Sequence, residues 1–301
     1  MKKKIMKTIY TYFINKVGIG LTSCCLLMAV TFASCKSEKK FDPNKPTVTV
    51  TIEPFRYFVE QIAGHDVNVN VMVPAGSNPE TYEPTPKQMM ELSQSALYFK
   101  VGSIGFEETW MKKLTDNAPN MKIIDTSLGI TPAKTPGGNI DPHTWMSCTN
   151  ARIISRNILK ALCTLSPQNK TVFEKNYQHL LQIINKRDSL IIQSIRENAH
   201  FEHKFVIYHP ILTYFSRDYK LTQLTIEEEG REPSAAQIKN LIERTKKEKI
   251  RHCLIQKEFA NRNTTTFIKE SKTKPIQINP LQPNWDKAMS EVASALCSTD
   301  K

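Results

Sequence analysis

The chain has 301 residues, of which 40% are apolar and 23% charged, and its formal net charge is +12. These ordinary proportions exclude a wholly disordered chain, a collagen and a protein with many membrane spans, and the length favours about two domains. Because five lysines and no acidic residue lie in residues 1–34, the rest of the chain carries only +7, and we expect no nucleic-acid partner.

The first 34 residues have the parts of an export signal. A basic leader, Met1–Lys16, precedes an uncharged stretch, Val17–Ser34, that is marginal as a permanent span. Its end, Phe32–Cys35, resembles the lipobox of bacterial lipoproteins, in which the cysteine is diacylated. We therefore expect a lipid on Cys35 that anchors an exported protein to the cell envelope. A plain signal or an uncleaved anchor is the alternative.

From residue 47 to residue 125, strands and helices alternate. β-Branched residues at every second position predict the first strand, and apolar residues at helical spacing follow it. The predicted elements are the strand Thr47–Ile52, the helix Phe55–Ile62 closed by Gly64, the strand Val67–Val73, the helix Pro86–Leu92, the strand Ala96–Val101, a helix around Trp110 and Leu114, and the strand Lys122–Asp125. This alternation is typical of parallel βαβ units.

One long helix is predicted after Ser166 and Pro167, a cap followed by proline at the first helical position. It runs to about Asn198 without glycine or proline, so about 32 residues form a rod of roughly 48 Å. The apolar residues on one side of this rod are Phe173, Tyr177, Leu180, Ile184, Ile191 and Ile195. A core helix or a short coiled-coil strand has the same pattern.

The alternation of strands and helices then resumes. The predicted elements are the strand Lys204–Tyr208, the helix Ile211–Tyr219, the strand Leu221–Ile226, a helix from Ser234 to Lys247, the strand His252–Ile255, the helix Thr264–Ser271, the strand Pro275–Ile278 and the helix Trp285–Leu296. We therefore predict an α/β fold of two lobes, each with a mainly parallel sheet, bridged by one long rigid helix that resists hinge closure. The predicted segments are a signal at 1–34, a tether at 35–46, an N-terminal lobe at 47–165, the linking helix at 166–199 and a C-terminal lobe at 200–301.

Two histidines and a carboxylate lie in loops that follow predicted strands. Ligands of open parallel sheets bind beyond the carboxyl ends of the strands, so these loops should meet between the lobes. Imidazole nitrogen with one carboxylate suits Zn²⁺, Mn²⁺ or Fe²⁺. The four loops are Val73–Pro86, Asp141–Trp145, Tyr208–Pro210 and Ile278–Leu281. The other histidines are interpreted as structural: His65, His179, His200, His203 and His252.

Several motifs in order now point to a family. They are V-P-x-G-x-x-P-x-x-Y-E-P-T-P at Val73–Pro86, D-P-H-x-W at Asp141–Trp145, H-P-I-L-T-Y-F-S-R-D-Y-K-L at His209–Leu221, E-E-G-R-E-P-S-A at Glu228–Ala235 and N-P-L at Asn279–Leu281. With them, the chain from about Thr47 onward resembles the metal-binding solute-binding proteins of zinc and manganese ABC importers, the zinc-uptake and TroA-like family. The resemblance implies two lobes bridged by one helix, a cognate ABC permease as partner, no enzymatic activity and a monomer.

The resemblance also implies a ligand set. His143 and His209 match the family's second and third metal ligands. Glu80 stands where the family has its first ligand, normally histidine, and Asn279 stands where it has aspartate. Relative to the family pattern, Glu80 adds a carboxylate and Asn279 removes one, so the ligand charge is unchanged. We therefore expect a divalent ion to bind, with Zn²⁺ favoured over Mn²⁺ or Fe²⁺.

Two further segments bear on the metal. Zinc members of the family often insert a loop rich in histidine and acid before D-P-H, but Thr131–Asn139 contains neither. A metal-collecting loop is therefore not expected. The acidic run Glu227–Glu229 is either a supporting shell for the site or a solvated turn.

Two other classes of protein share some of these features. A metal-dependent exported hydrolase also uses two histidines and a carboxylate, but no H-E-x-x-H or G-x-S-x-G motif supplies the further catalytic groups. An adhesin or a siderophore-binding lipoprotein would keep the two lobes without the ion. The cysteines outside the signal, which are either buried thiols or members of any of three disulfide pairings, are Cys148, Cys163, Cys253 and Cys297.

Overall fold

The computed structural model describes residues 41–135, 138–198, 203–227, 232–256 and 262–297. The chain divides into two units, Met1–Asp42 and Pro43–Lys301. The predicted export signal and the lipidation at Cys35 lie outside the described residues, as do His200, Glu228 and Glu229. Within the described ranges, we find no helix whose length and apolar character would suit a membrane crossing.

Two four-stranded sheets form the framework of the second unit. The strands are β1 (Thr47–Ile52), β2 (Asn68–Val73), β3 (Ser95–Lys100), β4 (Lys122–Asp125), β5 (Lys204–Ile207), β6 (Thr222–Thr225), β7 (His252–Gln256) and β8 (Lys274–Ile278). Their orders are β2-β1-β3-β4 and β6-β5-β7-β8, and each neighbouring pair is parallel. The predicted α/β class with two parallel sheets is therefore confirmed. In each sheet the strand order reverses once, at β1/β3 and at β5/β7, which is where open α/β sheets form a ligand crevice.

Nine α-helices occur in the described part of the chain. They are α1 (Glu53–Ala63), α2 (Pro86–Leu92), α3 (Gly105–Asn117), α4 (Cys148–Leu165), α5 (Lys170–Glu197), α6 (Thr213–Tyr219), α7 (Ala235–Lys247), α8 (Arg262–Ser271) and α9 (Trp285–Leu296). In α1 the buried residues Phe55, Phe58, Val59 and Ile62 recur at helical spacing, and Gly64 ends the helix with a φ of 59°. Ser234 caps α7, as predicted, by accepting a hydrogen bond from the backbone N–H of Gln237.

The long linking helix is α5, whose 28 residues span about 42 Å. Four residues of the predicted apolar side are fully buried: Phe173, Leu180, Ile184 and Ile191. The predicted helical start at Pro167 is confirmed, whereas the predicted side-chain cap at Ser166 is wrong. A separate 3-10 turn, Pro167–Asn169, precedes α5, and the Ser166 side chain makes no capping hydrogen bond. A 3-10 first turn is common at the N-terminus of a helix, and the α-helical part begins at Lys170.

Helix α4 was not predicted. Its 18 residues begin after Ser147, whose side chain accepts a hydrogen bond from the N–H of Asn150. Cysteine, threonine and asparagine in its first turn are weak helix formers, but its buried side is clear. The buried apolar residues at spacings of three and four are Ala151, Ile154, Ile158 and Leu162. This helix packs against α5 and α1.

Both sheets contribute to one hydrophobic core that extends along α5. Helix α5 contacts α1, α4 and α9. Arg187 of α5 donates two hydrogen bonds to the carboxylate of Asp286 in α9, at 2.7 and 2.9 Å. A paired Arg–carboxylate contact adds a fixed geometry to the apolar packing. The linking helix is therefore attached to both sheets by buried surface.

The four described cysteines are free thiols, so none of the three disulfide pairings is present. Cys148 and Cys253 are fully buried, and burial raises the pKa of both thiols to about 12. Thiols that stay protonated are poor nucleophiles and poor metal ligands. These two cysteines therefore act as small apolar core residues.

Candidate metal centre

Glu80, His143 and His209 come together at the carboxyl edges of the two sheets. Glu80 follows β2, His143 follows β4 and His209 follows β5. One ligand atom from each lies within 4.8 Å of the other two. In the described part of the chain, these residues form the one group of three His, Cys, Asp or Glu side chains that could hold a metal ion. The two histidines are buried and Glu80 is exposed, so the site has a solvent side.

Asp141 holds His143 in place. One carboxylate oxygen of Asp141 lies 2.9 Å from His143 Nδ1 and also accepts the backbone N–H of His143 at 2.8 Å. Burial by itself would raise the pKa of Asp141, but the His143 ring and its hydrogen bonds outweigh burial, and the pKa is lowered. The carboxylate is therefore ionised at neutral pH and can accept a hydrogen bond from Nδ1 of His143. Tyr214 fixes the same loop by donating its hydroxyl to the Asp141 carbonyl at 2.9 Å.

Glu227 holds His209 in a similar way. Both of its carboxylate oxygens lie 3.2 Å from His209 Nδ1, and its side chain is buried. Gln256, the last residue of β7, donates from Nε2 to the His209 carbonyl at 2.8 Å. Histidine ligands of metals commonly donate their second ring N–H to a carboxylate, which fixes the tautomer and the ring orientation. For Glu227, the interpretation of the acidic run as support for the site therefore holds, because its carboxylate contacts His209.

The geometry of the histidine pair suits a bound cation. Both Nδ1 atoms lie against carboxylates, and the two Nε2 atoms face each other at 3.1 Å. A separation this short requires a shared proton or a metal ion between the two nitrogens, because two facing lone pairs would repel each other. Zn–N bonds of 2.0–2.1 Å in a tetrahedron separate two nitrogens by about 3.3 Å. The observed distance is thus close to what one shared ion requires.

Asn279 lies at the same edge, after β8. Its side-chain oxygen accepts the N–H of Leu281 at 3.2 Å. The next residue, Pro280, receives the indole N–H of Trp145 on its carbonyl at 3.1 Å, which attaches this loop to the loop of His143. Coordination by Asn279 remains a prediction.

Two contributors to the site were not predicted, and the role of a third, Glu227, was left open between two interpretations. Asp141 was named only as the start of a motif, and Gln256 and the carboxylate contact of Glu227 were not assigned. The aspartate of D-P-H could have been predicted as a partner of the histidine, because it lies only two residues before it and its carboxylate reaches the imidazole ring. The other two contacts join different strands, and the local sequence has no signal for them.

Comparison with known proteins gives the family. A family model described as "Zinc-uptake complex component A periplasmic" (ZnuA) matches residues 48–297, which is most of the chain. The chain belongs to the ZnuA family. Its relatives include the zinc-binding lipoprotein AdcA of Streptococcus pneumoniae, 27% identical over 286 residues that cover 89% of this chain and 56% of AdcA. This chain therefore spans about half the length of AdcA.

A second relative matches over most of its own length. It is the manganese ABC transporter substrate-binding lipoprotein ScaA of Streptococcus gordonii, 28% identical over 264 residues that cover 82% of this chain and 84% of ScaA. A solved structure reported as ZnuA is 34% identical, with a TM-score of 0.80, and the match covers 84% of this chain and 98% of that one. Both zinc and manganese proteins are thus similar to this chain.

Removing the charge of Glu227 is expected to weaken metal binding in this member of the ZnuA family. In Glu227→Gln, the ring of His209 loses its anionic partner, so we expect about 10- to 100-fold lower affinity for Zn²⁺. Competition with a chromophoric chelator measures the change. Glu232→Gln, which removes an exposed carboxylate, is the control and should bind as the unaltered chain does. Equal affinity in the two variants would assign Glu227 a purely structural role.

Proposed function

We propose that this protein captures a divalent metal ion between its two lobes, with Zn²⁺ favoured, and delivers it to an ABC permease. The single observation that carries the proposal is the facing pair of Nε2 atoms of His143 and His209, 3.1 Å apart, with both Nδ1 atoms against carboxylates. The proposed ligands are Glu80, His143, His209 and Asn279.

The donor set supports a borderline ion rather than Ca²⁺ or Mg²⁺. Two imidazole nitrogens suit Zn²⁺, Mn²⁺ and Fe²⁺, whereas Ca²⁺ and Mg²⁺ prefer all-oxygen sites. Two nitrogens, one Glu80 oxygen and the Asn279 oxygen fill the four positions of tetrahedral Zn²⁺. Bidentate Glu80 and added water would give Mn²⁺ or Fe²⁺ its higher coordination number. The names of the relatives support either ion, since AdcA is a zinc-binding protein and ScaA belongs to a manganese transporter.

Delivery to a permease is supported by the relatives. AdcA is a zinc-binding lipoprotein, and ScaA is the substrate-binding lipoprotein of a manganese ABC transporter. We extend their location to this chain and propose that a lipid on Cys35 anchors it to the cell envelope as a monomer. Such proteins bind and release their ion unchanged, so the hydrolase alternative is not needed.

Metal analysis of the full chain purified without chelator tests the proposed function. We expect close to one divalent ion per chain, and competition between Zn²⁺ and Mn²⁺ should favour Zn²⁺. A chain that binds neither ion would refute the proposal. Tight binding of an iron chelate by such a chain would favour the siderophore alternative, and turnover of a chromogenic ester or phosphate would favour the hydrolase.

Asn279→Asp tests whether position 279 is a ligand. A carboxylate there would add a second anionic oxygen beside the ion, so we expect at least about tenfold tighter binding of Zn²⁺. Chelator competition measures it. Asn120→Asp is the control, because it adds a carboxylate at an exposed position of the N-terminal lobe. An affinity gain no larger than that of the control would place Asn279 outside the ligand set.

A further inference from the structure

We infer that Gly105 is a positioning residue for Glu80, which the proposed function makes a metal ligand. Gly105 is the first residue of α3, and the Glu80 side chain lies directly over it. A Cβ atom at position 105 would overlap the Oε2 atom of Glu80 and would lie 3.2 Å from its Cδ. The absence of a side chain at 105 is therefore what admits the carboxylate.

The backbone of Gly105 does not itself need glycine. The other five glycines of the described ranges have positive φ angles, a conformation that other residues rarely adopt: Gly64, Gly76, Gly102, Gly129 and Gly138. Gly105 is not among them, and at the start of a helix alanine would be the better helix former. Its glycine is explained by the space that Glu80 occupies.

The loop that leads into Gly105 and α3 is held in place by hydrogen bonds to a buried carboxylate. Buried Glu107 accepts the backbone N–H groups of Val101 and Gly102, at 2.6 and 3.0 Å, and the hydroxyl of Thr51. Glu80, by contrast, is exposed. When a Cβ is added at position 105, the Glu80 side chain should therefore move and the loop should stay.

The position of this contact links it to the metal site. The same Glu80 carboxylate has an oxygen within 4.8 Å of the ligand atoms of His143 and His209. The Glu80 carboxylate also lies at the N-terminal end of α3, whose partial positive charge favours an anion. A carboxylate pushed off Gly105 would lose both the helix terminus and its direction toward the histidines.

Gly105→Ala separates this role from a role in folding. In the full chain we expect the affinity for Zn²⁺ to fall at least about tenfold, while the melting temperature without metal stays the same or rises. In the Glu80→Ala background, adding Gly105→Ala should change the affinity no further, because the side chain that it displaces is gone. Thr109→Ala, at an exposed position of the same helix, is the control and should leave affinity unchanged.

The outcomes are distinct. An unaltered chain that binds neither Zn²⁺ nor Mn²⁺ refutes the proposed function and this inference with it. If the unaltered chain binds Zn²⁺ and Gly105→Ala binds it equally well, the inference alone fails. It also fails if Gly105→Ala lowers the affinity equally with and without Glu80, or if it lowers the melting temperature of the metal-free chain, because the added Cβ then disturbs the fold and not the carboxylate.

Discussion

Replacing both His143 and His209 by alanine is expected to abolish the stabilisation that metal gives to the folded chain. A ligand that binds only the folded state at 1,000 times its dissociation constant adds about 4 kcal/mol to the free energy of unfolding. For a chain of this size, whose entropy of unfolding is about 0.5–0.6 kcal/mol/K, that amounts to a rise in melting temperature of about 6–8 °C. The double variant should show the same melting temperature with and without Zn²⁺, measured by calorimetry.

Comparing each variant with and without metal removes the effect of the substitution on the fold itself. Both histidines are buried, so their loss also costs some stability in the metal-free chain. The control is His179→Ala, which removes an exposed imidazole from α5 and should keep the full metal-dependent rise. A rise that persists in the double variant would mean that the stabilising ion binds elsewhere.

The sequence predicted the strands well because their pattern is local. The alternation of β-branched residues gave the bounds of β1, Thr47–Ile52, as the structure has them. Helix α5 was also predictable, since no glycine or proline interrupts its buried side. Helix α4 was overlooked although its buried residues recur at helical spacing, because its first turn, after Ser147, consists of weak helix formers.

The meeting of the two histidines could be predicted from topology, whereas the contacts that hold the ligand side chains in place could not. Placing His143 and His209 after parallel strands brings them to one crevice by a general rule of open sheets. The contact of Glu227 with His209 and that of Gly105 with Glu80 join different loops. Such contacts depend on how each turn directs its backbone, which neither composition nor periodicity specifies.

The attachment between the lobes also depends on such long-range contacts. Trp285, the first residue of α9, is fully buried and donates its indole N–H to the carbonyl of Trp145 at 2.7 Å. Its ring packs on Phe58 of α1, with centroids 5.3 Å apart. One side chain of the second lobe thus contacts a helix of the first lobe and the loop that carries His143.

Trp285→Ala is therefore expected to lower the free energy of unfolding by about 3–5 kcal/mol, since a large buried ring leaves a cavity. Trp285→Phe keeps most of the ring but leaves the Trp145 carbonyl without its donor, so we expect a loss of about 1–3 kcal/mol. Urea unfolding of the metal-free chain measures both variants. The loss in Trp285→Phe reports mainly the hydrogen bond, and the further loss in Trp285→Ala reports the packing of the ring.

Trp110→Ala is the matched control, because Trp110 lies on α3, within the first lobe, and is only half-buried. It should cost less than Trp285→Ala, since a partly exposed ring has less surface to lose. If the two alanine variants cost the same, Trp285 contributes no more than a half-buried ring, and the lobes are held together by their other contacts, which include the packing of α5 and the contact between Arg187 and Asp286.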